Sequence, residues 1–267
     1  MRLGISTGGF IHLPILDALP RIAGAGVSLV EVSTWKPHFD LTDRSQVEAL
    51  QRALVRCGLR AHSLHAPFAW GHELGALSLT AQEPAVRMAR LAAEVATALG
   101  AQVMVVHPLE APLEPGAPEL APRLEAAGRG LAQVMARCRE LALTLVVEVM
   151  VPHLAGGRPE ELRQVTAGLG EAGWAYCLDT SHAALSPLGV GGWVQALGGR
   201  LGLVHLSDNR GQGDDHLPPG QGSIDWGSVR WQLGRAGYDG VVMLELNPAH
   251  AQHLAAAAAA ARRLLGM

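Results

Sequence analysis

Seven side chains that can bind a metal ion lie in one short stretch of the chain, between Cys177 and His216. They are Asp179, His182, His205, Asp208, Asp214, Asp215 and His216. Asp214 and His216 stand two residues apart in a glycine-flanked loop. Side chains at this spacing point to the same side of an extended segment. The pair can therefore present one carboxylate oxygen and one imidazole nitrogen to a single cation.

The ends of six consecutive candidate strands carry side chains of the same kinds, which are His65, His107, Glu148, Asp179, His205 and Glu245. The chain has 12 His and 24 Asp plus Glu among 267 residues, so chance would give this pattern in roughly one sequence in a hundred or fewer. Carboxylates that converge on one place repel each other unless cations lie between them. Oxygen and nitrogen ligands without thiolates suit zinc, manganese, iron or cobalt, so we predict a divalent metal site.

Short apolar segments alternate eight times with longer segments of helical period. The strand candidates are Leu3–Ser6, Leu29–Ser33, Arg60–His65, Gln102–His107, Thr144–Glu148, Ala175–Asp179, Leu201–His205 and Val241–Glu245. The helix candidates are Leu16–Ala25, Ser45–Cys57, Pro84–Leu99, Leu120–Leu141, Pro159–Ala167, Gly192–Leu197, Ser228–Ala236 and Ala249–Leu265. This alternation predicts an α/β fold, a single (β/α)8 TIM barrel over residues 1–267. The long segments follow the strands, which is the face where barrels carry their function.

The composition indicates a soluble globular protein, and it makes nucleic-acid binding less favoured without excluding it. Apolar residues make up 49% of the chain, the formal net charge is −3, and Lys36 is the only lysine. Three cysteines without a CxxC spacing suit reduced thiols, and no signal peptide opens the sequence, so we expect a cytoplasmic location. The apolar segment Leu254–Ala261 is too short to span a bilayer. The sequence does not decide whether the protein forms a homo-oligomer.

Three large aromatic residues follow the second and third candidate strands. Trp35, Phe68 and Trp70 can form the wall of a substrate pocket, or they can cover one edge of the core. The sequence leaves these two interpretations equal.

Taken together, the motifs resemble the xylose isomerase-like TIM-barrel superfamily, which includes endonuclease IV and many sugar isomerases and epimerases. The resemblance spans essentially the whole chain. Its carriers are Ser63-Leu64-His65-Ala66-Pro67, Val105-Val106-His107-Pro108, Val147-Glu148, Leu178-Asp179-Thr180-Ser181-His182-Ala183, Val204-His205-Leu206-Ser207-Asp208, Asp214-Asp215-His216, Pro219-Gly220-Gln221-Gly222 and Leu244-Glu245.

The resemblance implies one to three divalent ions per chain, with zinc or manganese expected. In the pattern of endonuclease IV, one ion would bind His65, His107 and Glu148. A second ion would bind Glu148, Asp179, His205 and Glu245. A third ion would bind His182, Asp214 and His216. The isomerases and epimerases need the second set alone. All nine positions hold residue types that the family uses.

Two activities follow from the same resemblance. As a sugar or sugar phosphate isomerase or epimerase, the protein would transfer a proton between Glu148, Glu245 and an enediolate, while His182 and Arg210 hold substrate oxygens. The segment 218–226 resembles the P-G-x-G-x-I-D pattern of sugar-handling members, which favours this activity.

The alternative is an endonuclease IV-like phosphodiesterase with a trinuclear site. The loop after His65 departs from the Tyr- and Asn-containing loop of the DNA enzymes, and no basic loop is placed to hold a phosphate backbone. A small sugar is therefore the expected partner, and nucleic acid remains the less favoured one. A barrel that binds a sugar without turning it over is a third class, but it would leave the paired glutamates without a role.

Overall fold

Eight parallel strands close a barrel in chain order, which confirms the predicted (β/α)8 TIM-barrel fold. The computed structural model describes residues 1–68, 73–109 and 116–267. The strands are β1 (Arg2–Ser6), β2 (Leu29–Ser33), β3 (Arg60–His65), β4 (Val103–Val106), β5 (Thr144–Glu148), β6 (Trp174–Asp179), β7 (Leu201–Leu206) and β8 (Val241–Leu244). β1 pairs with β8 and completes the ring.

Helices surround the barrel. They are α1 (Ile15–Gly24), α2 (Arg44–Arg56), α3 (Leu79–Ala98), α4 (Leu120–Glu140), α5 (Pro159–Thr166), α6 (Thr180–Leu185), α7 (Gly189–Leu197), α8 (Trp226–Arg235) and α9 (Leu254–Leu265), with 3-10 turns at Thr7–Phe10, Gly198–Arg200 and Pro248–His253. Among the described helices, none has the combination of length and apolar character that a bilayer crossing requires.

Alternate residues of each strand face opposite sides, and this alternation creates two apolar layers. One layer fills the barrel and contains Leu29, Val103, Val105, Val146, Cys177, Leu203, Val241 and Met243. The other layer lies between strands and helices and includes Met104, Val147, Leu178, Val204 and Leu244. Glu148, Asp179 and His205 each come two residues after a member of the barrel layer. They therefore extend the inward-facing rows to one mouth of the barrel.

Two of the differences from the sequence prediction have identifiable reasons. α3 begins at Leu79 and not at Pro84, because the Ser78 side chain accepts a hydrogen bond from the backbone N–H of Ala81 and caps the helix earlier. The short helix α6 was not predicted. It begins directly after β6, where the Asp179 carboxylate accepts the His182 N–H at 2.8 Å. The strand end and the helix cap are thus the same residue.

Candidate metal centre and active site

Four groups of described side chains bring three or four ligand atoms within 4.8 Å of one another. They are His65–His107–Glu148, Glu148–Asp179–His205–Glu245, Asp179–His182–His216, and Glu148–Cys177–His205. Asp214 joins the third group, since its Oδ2 lies 3.2 Å from Nε2 of His182 and 3.1 Å from Nε2 of His216. The structure therefore brings together all nine side chains that the sequence proposed as ligands.

Three of these histidines are oriented by backbone carbonyls. Nδ1 of His65 lies 3.0 Å from the backbone oxygen of Ala66. Nδ1 of His182 lies 2.8 Å from that of Val149, and Nδ1 of His216 lies 3.2 Å from that of Glu245. A carbonyl oxygen can only accept, so Nδ1 carries the hydrogen in each ring and a neutral ring keeps its lone pair on Nε2.

That lone pair meets a carboxylate oxygen in each case. Nε2 of His65 lies 3.2 Å from Oε2 of Glu148, and Nε2 of His182 and His216 face Asp214. Two acceptors this close repel each other unless a proton or a metal ion lies between them. Histidine ligands whose second nitrogen donates to a carbonyl are typical of metal sites. The arrangement therefore fits divalent cations.

An unpaired oxygen supports the same fit at the central group. Asp179 is fully buried, and its Oδ1 accepts the backbone N–H of His182. Its Oδ2 is buried without a hydrogen-bond partner among the described residues. Burial raises the pKa of this carboxyl group. A bound cation would provide the missing partner, because buried carboxylates need a pairing charge.

The two glutamates of the central group are held ionised. Burial opposes the ionisation of Glu148, but His205 and His107 keep its pKa well below the ordinary value. Burial likewise opposes the ionisation of Glu245, and His205 brings its pKa to about 2. Both carboxylates therefore carry a negative charge at neutral pH. This charge would attract a cation and would also let either group accept a proton.

His182 carries the complementary charge. Burial lowers its pKa, but Asp179 and then Asp214 raise it to about 9. Without a metal ion, the ring is therefore an imidazolium at neutral pH and donates to Asp214. Positive charge is required at this position, either as a proton or as a metal ion.

The loop 208–226 delivers Asp214 and His216, and the buried Asp208 carboxylate anchors it. Asp208 accepts hydrogen bonds from the backbone N–H groups of Asn209, Gly220 and Ile224 and from Nε1 of Trp226. A Cβ at Gly222 would collide with the Asn209 carbonyl oxygen and with Oδ1 of Asp208. The loop needs glycine there. Asp208 and Asp215 lie in the stretch between Cys177 and His216 that is rich in possible ligands, but they are not among the nine proposed ligands. Both stabilise the loop, since Asp215 accepts the Arg210 N–H at 3.0 Å.

A cavity of about 300 Å³ opens beside the central group and is lined by His65, His216, Glu245, Trp35 and Phe68, among others. The Trp35 and Phe68 ring centroids are 5.5 Å apart, and Phe68 lies against the ring of His107 at 4.5 Å. These two aromatic residues lie at the pocket, whereas Trp70 lies outside the described residues. Arg210 is separate from this group, because it is exposed on the loop and does not line the cavity.

Sequence reasoning missed one buried carboxylate. Glu31 lies in the middle of β2, and the barrel fully buries it. Nε2 of His205 lies 3.2 Å from Glu31, while Nδ1 of the same ring lies 3.0 Å from Glu245. The available signal was a single charged residue inside an otherwise apolar strand.

The description "xylose isomerase-like TIM barrel" belongs to the family model that matches residues 19–265. A Streptomyces coelicolor protein named "Putative hydroxypyruvate isomerase" is 27% identical over 256 residues, which cover 90% of this chain and 88% of that protein.

Two solved structures illustrate the structural similarity. A D-tagatose 3-epimerase-like protein superposes with a TM-score of 0.86 at 23% identity, covering 100% of this chain and 98% of the other. The TTHB071 protein of Thermus thermophilus, soaked with ZnCl2, gives a TM-score of 0.72 at 25% identity, and the match covers 97% of this chain and 98% of the other. Because the family model matches nearly the whole chain, this protein belongs to the xylose isomerase-like TIM barrel family.

Proposed function

We propose that this protein is a divalent-metal-dependent isomerase or epimerase that acts on a sugar, a sugar phosphate or a related α-hydroxycarbonyl compound. The observation that carries the proposal is the central group of Glu148, Asp179, His205 and Glu245, whose ligand atoms lie within 4.8 Å of one another. This group adjoins a cavity that Glu245 lines. Relatives named for hydroxypyruvate isomerisation and D-tagatose 3-epimerisation support the same class of chemistry.

The central group would hold one divalent cation. When bound, such a cation polarises a substrate carbonyl and makes the adjacent C–H more acidic. The similarity to a protein soaked with ZnCl2 supports zinc as one candidate, and manganese suits the same oxygen and nitrogen ligands.

Glu245 is the better placed of the two carboxylates to meet the substrate. Its side chain keeps 21% of its exposure and lines the cavity, whereas that of Glu148 keeps 2%. As a carboxylate it would remove the proton from the carbon beside the carbonyl. The C–H electron pair then forms the carbon–carbon double bond of an enediolate, and the carbonyl oxygen takes the negative charge.

The proton is then returned to carbon. Delivery to the neighbouring carbon gives an isomer, once the hydroxyl proton of the enediolate has passed to the former carbonyl oxygen so that the hydroxyl carbon becomes the new carbonyl. Delivery to the opposite face of the same carbon gives an epimer. Glu148 would supply the second carboxylate for the opposite face. Nδ1 of His182 already donates to the Val149 oxygen, so His182 would hold a substrate oxygen through Nε2, in exchange for its contact with Asp214 at 3.2 Å.

The aromatic side of the cavity would orient the substrate. Trp35 and Phe68 offer apolar faces against which the C–H groups of a sugar can pack. Arg210 would assist only if its exposed side chain folds over the cavity when the substrate binds.

A second candidate function has its own supporting observation. His65–His107–Glu148 and Asp179–His182–His216 flank the central group and share Glu148 and Asp179 with it. Three cations held in this way would suit phosphodiester hydrolysis of the endonuclease IV type. The formal net charge of −3 offers little general attraction for a nucleic-acid backbone.

Metal analysis followed by activity assays separates the two candidates. The protein is purified without added metal, its metal content is measured, and the same sample is assayed on a panel of ketoses, ketose phosphates and hydroxypyruvate and on abasic-site DNA. The proposal expects one tightly held ion per chain and turnover of a carbonyl substrate. Three tightly held ions together with DNA cleavage would replace it with the hydrolase.

A further inference from the structure

Glu31 is a carboxylate in an unfavourable place. Its side chain points into the barrel from the middle of β2 and is fully buried. The layer of inward-facing side chains that fills the barrel is apolar and includes Leu29, Leu203 and Met243. Burial of a carboxylate is unfavourable unless it is paired and hydrogen-bonded. Its partners therefore indicate its role.

In the part of the chain that the structure describes, the side chains of Ser63 and His205 contact this carboxylate. The hydroxyl group of Ser63 donates to Oε2 of Glu31 at 2.8 Å. Nε2 of His205 lies 3.2 Å from Oε1 and from Oε2, but only Oε2 has hydrogen-bond geometry. Oε1 has no hydrogen-bond partner within the described ranges of the chain. Ser63 and His205 thus hold Glu31 through the same oxygen. A carboxylate can only accept, so the hydrogen of His205 lies on Nε2.

This contact determines what the other nitrogen of His205 can do. With the hydrogen on Nε2, a neutral ring has its lone pair on Nδ1. Nδ1 faces the central group, at 3.0 Å from Glu245 and 3.3 Å from Glu148. The ring is therefore turned in the opposite sense to His65 and His182, which present Nε2 to their carboxylates.

The partner of the outer nitrogen also differs in charge. His65 and His182 donate to neutral backbone carbonyls, whereas His205 donates to a carboxylate. A carboxylate acceptor makes an imidazole more basic and fixes its orientation, and loss of such a partner typically weakens metal binding about 10- to 100-fold.

We infer that Glu31, held in place by Ser63, is a positioning residue that orients His205 and strengthens its bond to a divalent cation in the central group. The inference rests on the metal centre of the proposed function. It adds a layer beneath the ligands that runs from Ser63 through Glu31 to His205. Glu31 would not contact the substrate, because the barrel encloses it completely.

The test measures metal binding directly. Metal-free wild-type protein and the Glu31→Gln, Ser63→Ala and His205→Ala variants are titrated with Co²⁺ and Zn²⁺ against a competing chelator. The visible absorption of bound Co²⁺ is recorded, and the thermal midpoint is measured with and without metal. His205→Ala identifies which binding event belongs to the central group. Glu161→Gln is the matched control. Glu161 is also buried and accepts the Gly156 N–H at 2.9 Å, but it belongs neither to the ligand groups nor to the cavity lining.

We expect Glu31→Gln to weaken the His205-dependent binding event about 10- to 100-fold and to change its Co²⁺ spectrum. Ser63→Ala should weaken it less, since the carboxylate remains. The metal-free midpoint of Glu31→Gln should stay the same or rise, and only the increase caused by metal should shrink. Glu161→Gln should bind metal like the wild type.

Two outcomes would overturn the inference in distinguishable ways. If Glu31→Gln binds Co²⁺ with wild-type affinity and spectrum, or merely lowers both midpoints equally, Glu31 has a structural role and the proposed function is untouched. If the wild type shows no His205-dependent binding event, the metal centre itself fails, and the inference falls with it.

Discussion

Oε2 of Glu245 lies 3.0 Å from Nδ1 of His205, across the pairing of β7 with β8. The carboxylate comes directly after the end of β8, and the imidazole lies one residue before the end of β7. Glu245 is therefore fixed at the central group from one side and open to the cavity on the other. This double position is what a catalytic base at a metal centre requires.

Glu245→Gln should abolish turnover without unfolding the barrel. The amide has nearly the same shape but cannot accept a proton from carbon, so we expect kcat to fall by roughly 10²- to 10⁴-fold. Turnover is measured together with the thermal midpoint, and Glu161→Gln should retain the wild-type rate. Full activity in Glu245→Gln would remove this residue from the mechanism.

Asp214→Asn should affect the substrate more than the central cation. The change removes the charge that faces Nε2 of His182 and of His216, at 3.2 and 3.1 Å. We expect kcat/KM to fall about tenfold, as for loss of a charge-assisted contact, while the affinity for one divalent ion stays the same. Asp215→Asn, one residue away, is the matched control. A drop of one in the number of bound ions would instead support the trinuclear alternative.

Trp226→Phe should loosen the loop that carries His216. The indole Nε1 donates to the buried Asp208 carboxylate at 2.9 Å, and its loss should lower the free energy of unfolding by about 2 kcal/mol. Urea unfolding measures this change. Trp231→Phe serves as the control, since Trp231 is 54% exposed, and it should stay within about 0.5 kcal/mol of the wild type. Equal effects of the two changes would show that the Asp208 anchor contributes nothing.

His38 should make stability depend on pH below neutrality. Burial lowers its pKa, although carbonyl groups of Leu13 and Phe10 partly oppose this effect. Nδ1 donates to the Leu13 oxygen at 2.6 Å, and Nε2 is buried without a hydrogen-bond partner among the described residues, so protonation would bury a charge that the two carbonyl groups only partly offset.

The unfolded chain therefore binds this proton more readily than the folded one. As the pH falls from about 6.5 towards the lowered pKa, the contribution of His38 should lower the free energy of unfolding by up to about 1.4 kcal/mol per pH unit. Above about pH 6.5 the contribution should be constant. The difference between wild type and His38→Gln in urea unfolding at pH 5 and 7.5 isolates it. An unchanged difference across this range would contradict the assignment.

The convergence of the site could be predicted because it depends on strand periodicity. Glu148, Asp179 and His205 share the inward-facing rows of their strands, so identifying the strand ends was enough to bring them together. β2, β3 and β5 have the predicted bounds, whereas β4 and β8 end one residue before His107 and Glu245.

The remaining features depend on contacts that local sequence does not contain. Glu31 meets His205 across 174 positions of chain, and only the closed barrel makes that contact. The Nδ1 contacts of His65 and His182 depend on backbone carbonyl positions, which side-chain types do not predict. Asp208 has a residue type that suits a metal ligand, yet its carboxylate anchors the loop 208–226.

Hydrogen exchange at carbon tests the central claim most directly. Metal-reconstituted protein is incubated in D2O with D-tagatose, D-fructose, ketose phosphates and hydroxypyruvate, and deuterium at the carbon next to the carbonyl is followed by NMR. Proton transfer through Glu245 and Glu148 predicts catalytic deuterium incorporation in at least one compound, with loss of this activity in Glu245→Gln. No incorporation in any of these compounds, with the metal fully bound, would contradict the account.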